Sequence, residues 1–298
     1  MSEFEFIEEV TRDCLSHAEV ILGPGDDTAI LRPQAAQLTT VDMLMDQVHF
    51  DLANTKPFRI GRKCLAVNLS DIAAMGGKPT AAVVALGLPK EIPSLGIELY
   101  KGIHQLAKEF EVAIVGGDTN IWNGPLTVSI TAFGEPHPKG PTLRSGARAG
   151  DHIWVSGKLG DSLKGHHLDF TPRIREAQKL LDLVNVHSMI DLSDGLSSDL
   201  RHICVASKCG ALIEQKKLPF RSSGRDRLHK ALNDGEDFEL CFTLSTDEST
   251  KLHAAKYSEF TEIGRIIDEP HIYLEDSDGQ RSLMEKGGWQ HQFQQDIT

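Results

Sequence analysis

Residues 65–77 read LAVNLSDIAAMGG. Leu65, Ala66, Val67, Leu69, Ile72, Ala73 and Ala74 make the run apolar, and Gly76 and Gly77 close it. The pattern predicts a buried helix that starts at Pro57, continues through Met75 and stops at the glycine pair. Asn68 and Asp71 lie three residues apart, so on a helix they share a face. In such apolar surroundings they need a partner or a cation, because burying a bare carboxylate is costly.

Four further acidic motifs lie at element junctions: GPGDD at 23–27, TVD at 40–42, GGDT at 116–119 and DLSDG at 191–195. Carboxylates beside glycines suit hard cations held against a phosphorylated ligand. Asp oxygens bind Mg²⁺, which completes its shell with waters and substrate phosphates, and glycine lets backbone approach closely. Each motif also has a plainer reading. GPGDD reads equally as a turn. GGDT reads as a turn after a short strand over 112–115, with backbone N–H groups open to phosphate or an Asx cap in their place. Ser193 or Asp194 of DLSDG reads as a helix N-cap. No P-loop pattern occurs anywhere in the chain, so a nucleotide is held some other way.

The 298 residues favour two domains. A formal charge of −12, from 31 basic and 43 acidic residues, argues against a general nucleic-acid binder. It also requires metal ions wherever acidic side chains meet phosphates. The five cysteines are scattered without a Cys-x-x-Cys, which disfavours zinc and disulfides and fits free thiols in a reducing compartment. The first residues are acidic and lack an apolar core run, so no signal peptide is expected. No stretch reaches the roughly 18 apolar residues of a membrane span. A cytoplasmic location follows as an expectation.

Helices are expected at Glu5–Cys14, Ile97–Phe110, Arg173–Leu183 and Leu196–Ser207. Strands are expected at Asp26–Leu31, Ala36–Asp42, Thr80–Leu88, Val112–Val115, Leu126–Phe133, His152–Ser156, Met189–Leu192, Phe238–Leu244 and Glu262–Ile267. Three prolines within 135–141 mark a boundary between domains at 1–137 and 138–298. Strands and helices mix without a strict βαβ rhythm, which points to an α+β fold.

Other residues carry possible chemistry. Arg144 can fork onto phosphate. Glu236 and Asp237 can accept hydrogen bonds from a ligand amine. Trp289 can stack on a heterocycle. His49 follows the Asp42 strand. Each reads equally as a surface, ion-pairing or packing residue.

Taken together, the motifs resemble the bacterial thiamine-monophosphate kinase family from about Phe4 to Trp289. The specific matches are the string at 66–76 and the DLSDGL and GEDFELCF segments at 191–196 and 235–242. The family sits in a superfamily with aminoimidazole ribonucleotide synthetase. The resemblance implies a two-domain α+β fold that dimerises through its N-terminal domain, with ATP and several Mg²⁺. It implies phosphorylation of thiamine monophosphate to thiamine diphosphate. By position, Asp27, Asp42, Asp71, Asp118, Asp191 and Asp194 resemble metal ligands, and Thr40 and Val41 fall at metal-contacting positions. Val41 departs from the usual hydroxyl residue, so only its carbonyl can serve. Tyr100, Gly117, Asp118, Arg144 and Ser193 match ATP-contacting positions, and His49, Glu236 and Trp289 match substrate-contacting ones. The stretch between Asp161 and Asp191 is shorter than in many members. A selenophosphate synthetase would want a reactive Cys in a Gly-rich N-terminal segment, which Cys14 lacks. A non-catalytic binder would not need six acidic ligands. No general base is expected: the acceptor phosphate is already ionised near neutral pH.

Overall fold

A computed structural model describes residues 3–24, 28–90 and 95–289. The chain divides into two compact units, Met1–Pro141 with Leu168–Gln178, and Thr142–His167 with Lys179–Thr298.

The first unit runs α1 (Glu3–Thr11), β1 (Val20–Leu22), β2 (Ile30–Leu31), β3 (Leu38–Met45), α2 (Pro57–Ala74), β4 (Lys78–Pro89), α3 (Leu95–Glu109), β5 (Ala113–Trp122) and β6 (Thr127–Glu135). A four-stranded sheet takes the order β3-β6-β4-β5, with β4 and β5 parallel and the other pairs antiparallel. Helices α2 and α3 pack together, and α2 also packs on β3 and β6. Ile130, Ala132, Ala82 and Val84 are fully buried on the inner face of the sheet. On the opposite face the small β1–β2 sheet covers one end, where Val20, Ala29 and Leu31 meet Ala81, Ala113 and Val115.

The expected helix over Pro57–Met75 is α2, opened by Pro57 in its first turn, where the missing N–H costs nothing. It ends where Gly76 turns left-handed (φ 68°) and Gly77 N donates to Ile72 O at 2.9 Å, which satisfies a carbonyl at the helix end. Residues Leu168–Gln178 close on this unit. Arg62 Nη1 donates to Phe170 O and Gln178 Nε2 to Gly76 O, each at 2.6 Å.

The second unit carries β7 (His152–Ser156), α4 (His166–Asp169), α5 (Ile174–Leu183), β8 (Ser188–Asp191), α6 (Leu196–Ser207), β9 (Gly210–Glu214), α7 (Arg227–Asn233), β10 (Leu240–Leu244), α8 (Thr246–Ala255), β11 (Phe260–Ile267), β12 (Ile272–Glu275) and β13 (Arg281–Leu283). The first residues of α4 and the last of α5 belong to it. Its seven-stranded sheet takes the order β13-β12-β9-β11-β7-β10-β8 and is antiparallel except at β9–β12. Leu196, Leu200 and Ile203 of α6 bury against Ile153, Val155, Ile213 and Ile263. The fold class is therefore α+β, as expected.

Two expectations are corrected. GGDT is not a turn: β5 runs through it to Trp122, paired along β4. Gly117 permits this, since a Cβ there would lie 2.0 Å from Val84 O. The strand expected over Asp26–Leu31 is only Ile30–Leu31, and 25–27 lie outside the described residues.

Candidate functional site

In the first unit, Thr40 and Asp42 alternate along β3. Asp42 pairs in register with Ile130, which pairs with Val84, whose neighbour on β5 is Gly117. This row lies on the helix-covered face, so Asp42 is directed toward α2. Asp71, near the end of that helix, accepts a hydrogen bond from Thr40 Oγ1. Burial pushes the Asp42 carboxyl up to about 7, and the neighbouring Asp71 charge adds to the rise.

Asn68, one turn before Asp71, is fully buried. Its Nδ2 donates to Cys64 O at 3.0 Å, while its Oδ1 has no hydrogen-bond partner. A half-buried carboxylate repelled by a second, with an orphaned amide oxygen on the same helix face, is a hard-oxygen set short of positive charge. Mg²⁺ fits such a set. Among the described residues no three His, Cys, Asp or Glu side chains gather into a closed metal cage, and Mg²⁺ commonly needs only one or two carboxylates.

The other residues singled out in this unit fall elsewhere. Asp118 pairs with Ala85, which pairs with Ser129, and Ser129 with Met43. Asp118 therefore lies on the opposite sheet face from Asp42, exposed, accepting from Asn120 Nδ2 at 2.8 Å. Val41 shares that outer face and is 62% exposed. Gly117 lies in the Asp42 row. Tyr100 is buried on α3 against Phe6 and His104, and burial raises its hydroxyl pKa. His49 Nδ1 accepts from Met45 N at 3.1 Å, and its carbonyl accepts from the fully buried Lys63 at 2.5 Å. Asp27 lies outside the described residues.

In the second unit, Asp191 ends β8 and is buried. Ser193 O accepts from Glu236 N at 2.7 Å, Leu192 O from Phe238 N at 2.8 Å, and Asp194 O from Trp289 N at 3.0 Å. Backbone hydrogen bonds thus gather Ser193, Asp194, Glu236 and Trp289 around one turn. Glu236 (φ 52°) and Phe238 (φ 49°) both sit in the left-handed region, a strain that tertiary contacts hold in place. Asp237 turns inward to accept from Gly160 N at 3.1 and 3.0 Å and from Arg221 Nη2 at 3.1 Å, and burial raises it to about 7. Arg144 is exposed, and its carbonyl accepts from Ser207 Oγ at 3.4 Å. A cleft of about 620 Å³ beside α7 is lined by Leu228, Leu232, Leu274, Met284, Gly287 and Gly288.

Sequence reasoning missed Asp199. Its buried carboxylate accepts from Asp194 N and Gly195 N at 3.1 Å each. Burial raises its pKa well above the usual value, reinforced by Asp191 and Asp194. In the sequence it is one more acid in a first helical turn, where acids are ordinary.

Two family models match, those of the AIR synthase related protein N-terminal domain over residues 25–135 and C-terminal domain over residues 146–277. The thiamine-monophosphate kinase of Rhodopirellula baltica is 40% identical over 274 residues, covering 86% of each chain. That of Escherichia coli K12 is 39% identical over 260 residues, covering 77% of this chain and 78% of its own.

The chain belongs to the thiamine-monophosphate kinase family.

Among solved structures, the thiamine-monophosphate kinase of Stenotrophomonas maltophilia superposes with a TM-score of 0.81 at 34% identity, covering 95% of this chain and 98% of that one. The structure described as AaThiL complexed with AMPPCP and TMP superposes with a TM-score of 0.74 at 26% identity, covering 97% and 96%. The resemblance stated from the motifs is thereby confirmed at the level of family and fold.

Proposed function

We propose that this member of the thiamine-monophosphate kinase family transfers the γ-phosphoryl group of ATP to thiamine monophosphate, giving thiamine diphosphate and ADP. The carrying observation is the Thr40–Asp42–Asp71 oxygen cluster on a chain 40% identical to such a kinase over 86% of its length. Bound Mg²⁺ would neutralise the phosphate oxygens and relieve repulsion between two anions during in-line transfer.

Asp42 and Asp71 hold metal on the first unit, with Thr40 orienting Asp71. Asp191 and Asp194 are ligands on the second, and Asp27 and the Val41 carbonyl are further members of the proposed set; Asp118, expected there from the motif, stands on the opposite sheet face from Asp42 and apart from that pair. Gly117, Arg144 and Ser193 contact ATP, whereas Tyr100, expected among them from the motif, is packed against Phe6 and His104. His49, Glu236 and Trp289 contact the substrate. No residue removes a proton, because the acceptor phosphate is already ionised.

The outer sheet face, with Val41 62% and Met43 57% exposed on edge strand β3, is the surface by which two copies pair as a dimer. No helix among the described residues is long and apolar enough to cross a membrane, which is compatible with work in the cytoplasm.

Incubation with ATP, Mg²⁺ and thiamine monophosphate tests the reading by chromatography. Equal amounts of thiamine diphosphate and ADP, both lost in Asp71→Asn, support it. ADP without thiamine diphosphate points to another acceptor, and no nucleotide turnover to a binding protein.

A further inference from the structure

The turn after β8 presents two carboxylates, Asp191 and Asp194, yet its own backbone is held by a third. Both hydrogen bonds, from Asp194 N and Gly195 N, end on one atom, Asp199 Oδ2, at 3.1 Å each. Gly195 has φ 111° and serves as the N-cap of α6, with its carbonyl accepting from Ser198 N and Asp199 N at 3.0 Å. Asp199 is 2% exposed, so bulk water does not readily take over these two N–H groups.

The same turn receives Trp289 N on Asp194 O and Glu236 N on Ser193 O. Its conformation therefore sets where Asp194, Glu236 and Trp289 stand. An acceptor in the first turn also suits the positive end of a helix, but a free helix terminus would not require one buried oxygen to bind two N–H groups upstream of the helix.

We propose that Asp199 is a positioning residue. Its Oδ2 holds the Asp191–Gly195 turn in the shape that lets Asp191 and Asp194 bind metal, without itself touching metal or substrate. This rests on the reading that those two residues are ligands. The role asks for a hydrogen-bond acceptor at one place, not for a charge. An amide oxygen carries two lone pairs and can replace Oδ2, whereas a glutamate keeps the charge but moves the oxygen by a methylene.

The test is Mn²⁺ binding to the full chain with ADP present, followed by electron paramagnetic resonance, together with the Mg²⁺ dependence of turnover. Asp199→Asn is expected to stay within threefold of wild type in both. Asp199→Glu is expected to bind Mn²⁺ at least fivefold more weakly, and Asp199→Ala at least tenfold, with KM for thiamine monophosphate rising as well because Glu236 and Trp289 hang on the same turn. If Asp199→Ala fails to fold, the ranking of Asn against Glu still decides. Glu matching wild type while Asn fails would assign the role to charge and overturn the proposal, as would wild-type Mn²⁺ affinity in folded Asp199→Ala. Wild-type affinity in both Asp191→Asn and Asp194→Asn would instead remove the ligand reading and the proposal with it.

Discussion

Thr40 on β3 donates its hydroxyl hydrogen to the carboxylate of Asp71 on α2, joining the inner face of the sheet to the helix that covers it. The bond directs the Asp71 carboxylate toward the strand that carries Asp42. Asp71→Asn keeps the shape and removes the charge. Turnover should fall by about 10³-fold, the scale of losing a main electrostatic contact to the transferring group, with little loss of melting temperature. Thr40→Val should cost far less. A Thr40→Val enzyme as inactive as Asp71→Asn would give the hydroxyl a direct role at the metal.

Asp42 links pH to stability. Its folded pKa, about 7, lies above the ordinary aspartate value of 3.8, so the folded protein binds the proton more tightly than the unfolded chain. This contribution is fully present below about pH 4 and is lost as pH rises through 7. Metal-free protein should lose on the order of 1–2 kcal/mol between pH 5 and 8 from this group, after screening of a half-buried site. Saturating Mg²⁺ should remove the slope, because it favours the ionised form. Thermal melts of wild type and Asp42→Asn, with and without Mg²⁺, measure it; the Asn variant should lack this component of the slope in metal-free buffer.

Gly288 has φ 91°, and a Cβ there would lie 2.7 Å from Ser198 Cβ and 2.8 Å from Asp194 O. Gly288→Ala should push Trp289 off the Asp194 turn. Steady-state kinetics should show KM for thiamine monophosphate rising about tenfold, on the scale of one lost aromatic contact, with KM for ATP nearly unchanged. Equal rises in both would place Trp289 outside the substrate subsite.

His49 spends Nδ1 on Met45 N, which fits a residue that shapes a loop. His49→Ala should raise KM for thiamine monophosphate more than it lowers kcat. A kcat loss beyond about 10³-fold at unchanged KM would end the argument against a general base.

Met43 is 57% exposed beside Val41 on edge strand β3. A lysine there would set charge into an apolar contact. Met43→Lys should shift the protein from dimer to monomer in light scattering, without loss of secondary structure. A wild type that is already monomeric would contradict the proposed pairing.

Much was legible along the chain because it is local. The helix over residues 57–75, its glycine stop, strand β7 and helix α6 follow from apolar spacing and capping, which act over a few residues. The motif strings were enough to indicate the family. The need of Asn68 and Asp71 for partners was also readable, since an apolar helix cannot bury a carboxylate freely. Which partners they meet was not. Thr40 reaches Asp71 across 31 positions in sequence, and only sheet register, with its period of two, decides that Asp42 faces the helix while Val41 and Asp118 face away. The extension of β5 through Gly116 and Gly117 depended on room beside Val84, and the role of Asp199 on backbone N–H groups that its own helix turns toward it. Composition and periodicity determined the elements and the acidic character of this protein; the faces and partners of its acids were decided by pairings distant in sequence, because no local propensity encodes them.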